Sequence, residues 1–402
     1  MEITRAIQLH QQYKGKLFTG LKVPLDSIDD LKVYYTPGVA DACLLIAEEE
    51  GVAVAAGMAS GASHINKETE ALYSCTIKNN TVAVVSDGSA VLGLGNIGAR
   101  GAIPVMEGKC ALFKKFGGVD AFPICLDTQD TDEIIRTVKL IAPIFGGINL
   151  EDISAPRCFE VERRLQEELD IPVFHDDQHG TAVVVLAGLY NALKVVGKEI
   201  GNIKLAISGS GAAGIAICDL LLAAGVKDII LVDSKGTIVE GRADLNEEKI
   251  IFSKKTNPRK VAGSLADAMR GADVVVGVSK AGAVTSEMVA SMNGAGTASG
   301  PIVLAMANPV PEIMPDVAHA AGAAVVATGR SDFPNQLNNV LVFPGIFRGA
   351  LDNRVNVITI DMQIAAAKNL SAMVAVPTAE KIIPGVFESG VCDAVSKAIV
   401  KV

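Results

Sequence analysis

The 402-residue sequence contains no tryptophan, only five tyrosines and only twelve phenylalanines. A chain so poor in aromatics offers no stacking platform for single-stranded nucleic acid. No Lys/Arg run is long enough to track a phosphate backbone, and 36 basic against 45 acidic residues leave a net charge of −9. That balance excludes nucleic acid as a partner. CxxC pairs are absent too. Cys43, Cys75, Cys110, Cys125, Cys158, Cys218 and Cys392 are scattered singly, as reduced thiols of a large core are, not a disulfide framework. The longest uncharged apolar stretch, "GTAVVVLAGLYNAL" at 180–193, falls short of the roughly 20 residues a membrane span needs. The N-terminus "MEITRAIQLHQQYKGK" lacks the apolar core of a signal peptide. These absences lead us to expect a soluble, cytoplasmic protein with no membrane partner.

Half of the chain is apolar and a fifth charged, enough to bury large cores and incompatible with intrinsic disorder. Its length predicts two domains at roughly 100–200 residues each. Short apolar runs such as "TVAVVSDG" and "GVDAFPICLD" end in Gly or Asp, as buried strands do, and alternate with helical patterns such as "DTDEIIRTVKLIA". From about residue 160 the alternation sharpens, with strands at "DVVVGVS", "PIVLAMANP" and "AAVVATG". We therefore expect an α/β protein in which a first α/β substrate domain (1–160) precedes a Rossmann-type, doubly wound parallel-sheet domain (161–402). A C-terminal helix after residue 360 is expected to pack back on the first domain.

"GSGAAG" at 209–214 directly follows the apolar strand "KLAISG" and opens a helix, and the next strand ends in Asp233. In a dinucleotide site, Gly209 permits the tight turn and Gly211 lets the backbone approach the pyrophosphate. Gly214 allows close helix–strand packing, and Ser210, Ala212 and Ala213 complete the loop at the helix N-terminus. Asp233 would accept the ribose hydroxyls. That favours NAD, while Lys235 two residues on leaves NADP open. A second match, "GLGNIG" (Gly93, Gly95, Gly98), is separated from its strand by "SDGSAVL" and reads as a glycine loop lining a pocket.

Two acidic pairs close predicted strands: Glu151 with Asp152 in "INLEDIS", and Asp176 with Asp177 in "VFHDDQHGT". Gathered at the carboxyl ends of a parallel sheet, they would repel one another unless a hard cation neutralised them, and all-oxygen ligands suit Mg²⁺ or Mn²⁺. Helix capping by the same residues is the alternative from spacing alone. His175 and His179 lack a third His or Cys at ligand spacing, which excludes zinc.

Taken together, "YYTPGVA" at 34–40, "VSDGSAVLGLGNIG" at 85–98, "INLEDISAPRCFEVE" at 148–162, "PVFHDDQHGTA" at 172–182, "MANPVPE" and "NNVLVFPGIFRGAL" resemble the malic enzymes of the short bacterial type over essentially the whole chain. The resemblance implies oxidative decarboxylation of L-malate to pyruvate and CO₂, with NAD or NADP and Mn²⁺ or Mg²⁺, in a homodimer. It implies Glu151, Asp152 and Asp177 as metal ligands with Asp176 beside them, Lys109 as general base and Tyr35 as general acid. Asn308, Asn338 and Asn339 fall at substrate-facing amide positions, Asn308 also beside the cofactor. A closed site and a nearby cation would hold Lys109 neutral enough to take the hydroxyl proton.

One departure stands out. Larger relatives carry an arginine two residues after "DG", where this chain has Ala90. A malate carboxylate must then find another cation or the backbone amides of the Gly93–Gly98 loop. Two alternatives remain: a malolactic conversion with retained NAD, expected of a longer branch of the family, and a non-catalytic NAD-binding redox sensor.

Overall fold

The computed structural model describes residues 5–401 apart from 14–15, 24, 52, 56–57, 61–69 and 92. A short antiparallel hairpin, β1 (Ala53–Ala55) and β2 (Met58–Ser60), precedes two sheets. The first holds β3 (Thr81–Ser86), β4 (Asp120–Cys125), β5 (Gly147–Leu150) and β6 (Val173–His175), all parallel in the order β4-β3-β5-β6. The second holds β7 (Lys204–Ser208), β8 (Asp228–Asp233), β9 (Gly236–Thr237), β10 (Val274–Gly277), β11 (Ile302–Ala305) and β12 (Val325–Thr328). Its order is β12-β11-β10-β7-β8-β9, parallel except for β9.

Side chains alternate across each strand, and both faces are covered, which is why the strands read as continuous apolar runs. Val82 and Val84 of β3 and Leu205 and Ile207 of β7 face one shared core. Ala83 and Val85, and on the other sheet Ala206, face separate outer cores. The helix Thr181–Val196 lies in the shared core and is buried nearly all round. Together with the helical turn before it, it spans Asp176–Val196, 21 residues. By length and composition that is enough to cross a membrane, so the shorter span read from the sequence is corrected. Its apolarity serves the interior between the two sheets.

The domain division also shifts. The helix Arg157–Glu168 and β6 belong to the first sheet and its outer core, so the first unit runs to about residue 175, past the expected boundary at 160. Strand pairing, invisible in composition, decides this. The helix Phe343–Asp352 packs back on the first unit, against the helix Gly98–Gly117. The helix Ile360–Ala372, expected to do so, rests mainly on Thr181–Val196.

Candidate active site between the two sheets

Each acidic pair sits at the carboxyl end of a strand. Glu151 and Asp152 follow β5, and Asp152 adopts φ 55, a left-handed conformation that aspartate tolerates better than most residues. Its N–H donates to Asp177 Oδ2 at 2.7 Å, tying the two pairs together. Asp176 and Asp177 open a π-helical turn, Asp176–Gly180, after β6, a widened turn that recurs at functional sites. A Cβ at position 180 would stand 1.8 Å from Asp176 Oδ1, so glycine there is what lets the carboxylate fold over the turn.

Lys109, on the buried face of helix Gly98–Gly117, enters this cluster. Its Nζ donates to Asp176 Oδ2 at 2.5 Å and lies 2.9 Å from Glu151 Oε1, with the Phe343 ring 4.1 Å away. Asn149 Nδ2 donates to Glu151 Oε2 at 2.8 Å. Burial alone would lower the Lys109 pKa, but the charges of Asp176, Glu151 and Asp177 outweigh it and raise it above its ordinary value. With no cation to compensate them, the carboxylates hold the lysine's proton; the neutral form expected of it requires the cation. Burial pushes Asp176 and Glu151 up to about 7 against the pull of Lys109, and raises Asp177 as well. The buried Glu151 and Asp176 and the half-buried Asp177 set three carboxyls against one ammonium.

That excess fits a hard cation. The donors are all oxygen, and Asp176 Oδ1 is buried with no hydrogen bond, an acceptor with capacity to spare. Among the described residues no three such side chains stand close enough to close a coordination shell. The Lys109 ammonium occupies the space between Glu151 and Asp176.

The His179 ring belongs to a different network, while the His175 ring stands by the acidic cluster, its Nδ1 3.9 Å from Asp177 Oδ2. Glu162 is buried and accepts from His175 N at 2.8 Å and Gln178 Nε2 at 3.1 Å, and pairs with His179 Nε2 at 3.0 Å. Burial lowers the His175 ring to about 4, keeping it neutral. Sequence reading missed Glu162, although Cys158, Val161, Glu162 and Leu165 form the buried stripe of their helix. An acid on an apolar stripe was the available signal.

Opposite the cluster, Gly209–Gly214 joins β7 to helix Ala212–Ala223. A Cβ at 214 would lie 2.0 Å from Gly209 O, whereas at 211 it would meet nothing within 4 Å. The first glycine is demanded by packing, the second left open for a ligand. Gly209, Ser210, Gly211, Asp233, Asn246 and Lys249 line a cleft of about 300 Å³ there. Ala212 and Ala213 form the first turn of the helix, whose N–H groups have no side-chain cap and suit phosphate.

Asp233 is less available than expected. Its Oδ2 accepts from Arg242 Nη2 and, at 2.8 Å, from Lys249 Nζ, while Oδ1 accepts from Lys235 N at 2.9 Å. Those hydrogen bonds outweigh burial and hold its carboxyl well below the usual range. One acceptor position on Oδ1 remains for a ribose hydroxyl. Lys235 Nζ turns instead to Asp244, 2.9 Å away.

Asn308 follows β11, and the glycine loop of the first unit closes on it: a Cβ at Gly93, φ +69, would lie 2.8 Å from Asn308 O. That loop packs against Asn308 and Pro309. Asn339 lies beside the π turn, its Cβ 3.3 Å from where a Gly180 Cβ would be. Asn338 accepts from Val340 N at 2.9 Å and serves as a cap. Tyr35 stands apart. It ends the helix Ile28–Tyr34, is 65% exposed, and this helix and the next, Val39–Glu49, bury no side chain. The structure does not bring Tyr35 to Lys109.

The family models described as "Malic enzyme, N-terminal domain" and "Malic enzyme, NAD binding domain" match residues 15–166 and 178–401. The chain is 53% identical to a bifunctional malic/malolactic enzyme of Bacillus subtilis, covering 98% of this chain and 92% of that one. It is 56% identical to an NAD-dependent malic enzyme of Geobacillus stearothermophilus, covering 96% of this chain and 76% of that one. The crystal structure of an NAD-dependent malic enzyme from Thermotoga maritima superposes with a TM-score of 0.90 at 46% identity, covering 98% of this chain and 99% of that one.

Proposed function

The chain belongs to the malic enzyme family, and from that premise we propose that it converts L-malate to pyruvate and CO₂ while reducing NAD or NADP, with a divalent cation held by Glu151, Asp152 and Asp177. The observation that carries this reading is the buried Lys109–Asp176–Glu151 cluster facing an open glycine loop on the second sheet. The cation would acidify the substrate hydroxyl, and the dinucleotide would accept the hydride from C2. With a cation compensating the carboxylates, Lys109 would release its own proton to solvent, and its neutral Nζ would then take the hydroxyl proton, with Asp176 at 2.5 Å placed to share it. Once CO₂ has left, an acid would protonate C3 and be recharged by the proton held on Lys109, so that malate and the oxidised dinucleotide give pyruvate, CO₂ and the reduced dinucleotide. Asn308 and Asn339 border the crevice and orient the substrate.

We keep Tyr35 as the acid that protonates C3, and a homodimer as the assembly that brings it there. The support is the segment around it: Phe18, Leu21, Ile28, Val33 and Tyr35 are all more than half exposed, an apolar surface that a second copy would cover. Mg²⁺ or Mn²⁺ is proposed on the oxygen donors, and a cytoplasmic location on the seven free thiols. NAD is the proposed preference, with NADP accepted because Arg242 and Lys249 blunt the charge of Asp233.

A malolactic reading has gained support. That activity was expected only in longer relatives, yet the Bacillus subtilis enzyme that carries the name aligns over 92% of its length. The test is the initial rate of nicotinamide reduction with L-malate and Mn²⁺, with NAD and NADP in parallel and pyruvate and lactate assayed. Metal-dependent reduction with stoichiometric pyruvate supports the proposal. Malate consumed to lactate without net reduction supports the second reading. Dinucleotide binding without turnover would leave a redox sensor.

A further inference from the structure

One cation in the crevice has donors that the cluster above does not use. Arg157 opens the helix Arg157–Glu168. Its Nη2 donates to the buried Asp87 at 2.6 Å and to Ser89 Oγ at 2.9 Å. Its Nε is buried and has no hydrogen-bond partner, a donor that a ligand or water must satisfy. The side chain is 22% exposed, so a ligand can reach it.

The backbone fixes Arg157 at the edge of the carboxylate cluster. Ala90 N donates to Asp152 O and Ser154 N to Ser89 Oγ, each at 2.9 Å, lacing the Asp87–Ala90 loop to the turn that carries Glu151 and Asp152. On the other side, Ala155 and Pro156 line the dinucleotide cleft together with Gly209–Gly211. Arg157 therefore stands where the two halves of the site meet. Other donors nearby are committed. Lys109 is enclosed by carboxylates, and Arg330 uses Nε, Nη1 and Nη2 on Asp332 and Pro309 O. In the neighbouring glycine loop the N–H groups of Val91, Leu94, Gly95, Ile97 and Gly98 are spent on that loop's own carbonyls.

We propose that Arg157 binds a carboxylate of the dicarboxylate substrate, the one that the cation and Lys109 leave free. The inference rests on the reading of malate as substrate. A guanidinium held on one edge by Asp87 and Ser89 presents its remaining N–H groups in a fixed fork that matches a carboxylate. Because that edge is already anchored, little side-chain freedom is lost on binding. A dinucleotide phosphate is an anion of related chemistry, and the experiment separates the two.

The test uses the Mn²⁺-loaded enzyme as wild type, Arg157→Lys and Arg157→Leu. The expected result for Arg157→Leu is a malate KM raised about tenfold or more with a smaller loss of kcat, and Arg157→Lys between the two. Dissociation constants for the reduced dinucleotide, read by fluorescence, should not change. In the absence of turnover, a hydroxy-dicarboxylate should bind the wild type better than a hydroxy-monocarboxylate, and Arg157→Leu should erase that preference. The double variant Asp87→Asn/Arg157→Leu removes the buried charge that the single variant strands. If it restores the malate KM, Arg157 serves only Asp87 and the proposal falls. Weakened dinucleotide binding with an unchanged malate KM also overturns it. Were the wild type to oxidise no malate, the functional reading would fall, while the dicarboxylate preference would still decide the role of Arg157.

Discussion

Lys109 Nζ and Asp176 Oδ2 lie 2.5 Å apart, and both side chains are buried. They come from different layers, a helix that covers the first sheet and a turn that follows its last strand. A pair so placed couples catalysis to stability. Lys109→Met should lower kcat by about 10²–10⁴-fold, the range of a lost general base. It should also strand buried carboxylates, at about 3–5 kcal/mol. Dinucleotide affinity should persist. Near-normal turnover in this variant would remove Lys109 from the mechanism.

Mn²⁺ should raise the thermal midpoint of the wild type, because a ligand that binds only the folded state stabilises it by mass action. Asp177→Asn should abolish most of that rise while leaving the metal-free midpoint close to wild type or higher, since burial raises this carboxyl. An undiminished Mn²⁺ shift in Asp177→Asn would place the cation elsewhere.

Arg242 and Lys249 share Asp233 Oδ2. Arg242→Ala would strip one of the two cations and restore negative potential beneath the ribose. The KM for NADP should rise several-fold more than the KM for NAD, roughly the tenfold that 1.4 kcal/mol represents. Parallel rates with the two dinucleotides measure it.

Gly211 and Gly214 predict opposite failures. Gly214→Ala places a Cβ 2.0 Å from Gly209 O and should unfold at lower temperature. Gly211→Ala meets no protein atom within 4 Å and should fold normally, yet bind dinucleotide more weakly because the methyl occupies the ligand's approach. Melting curves with and without dinucleotide separate the two.

The Glu162–His179 pair sets a pH dependence. Burial opposes the charged form of each, but the pairing wins: Glu162 is held below 4.5 and His179 above 6.5. The histidine contributes stability fully below pH 6.5 and loses it as pH rises through its raised value. The glutamate contributes above pH 4.5 and loses it as pH falls through its lowered value. The melting difference between wild type and His179→Gln should therefore be greatest between pH 4.5 and 6.5 and shrink above. A difference that grew with pH would reverse the assignment.

Local patterns carried much of this. Strand, glycine loop, helix and strand ending in Asp233 are contiguous, so short-range sterics and the period of two fix them before any tertiary contact forms. Strand-end carboxylates were visible because the strands stop there. Arg242 and Lys249 follow Asp233 by 9 and 16 residues, and a loop gives no period from which such pairing can be read. Arg157 was hidden among the charges of an amphipathic helix, and Asp87 among the residues of a loop.

By itself the sequence determined the class of chemistry, because motif residues must be present in the chain before any fold can use them. It determined the parallel sheets as well, since apolar runs buried on both faces leave little else. Only the tertiary structure decided the enclosure of Lys109 by carboxylates, the shielding of Asp233 and the exposure of Tyr35. Each is set by which side chains come within a few ångströms across long separations in sequence, and by how much water burial removes from them.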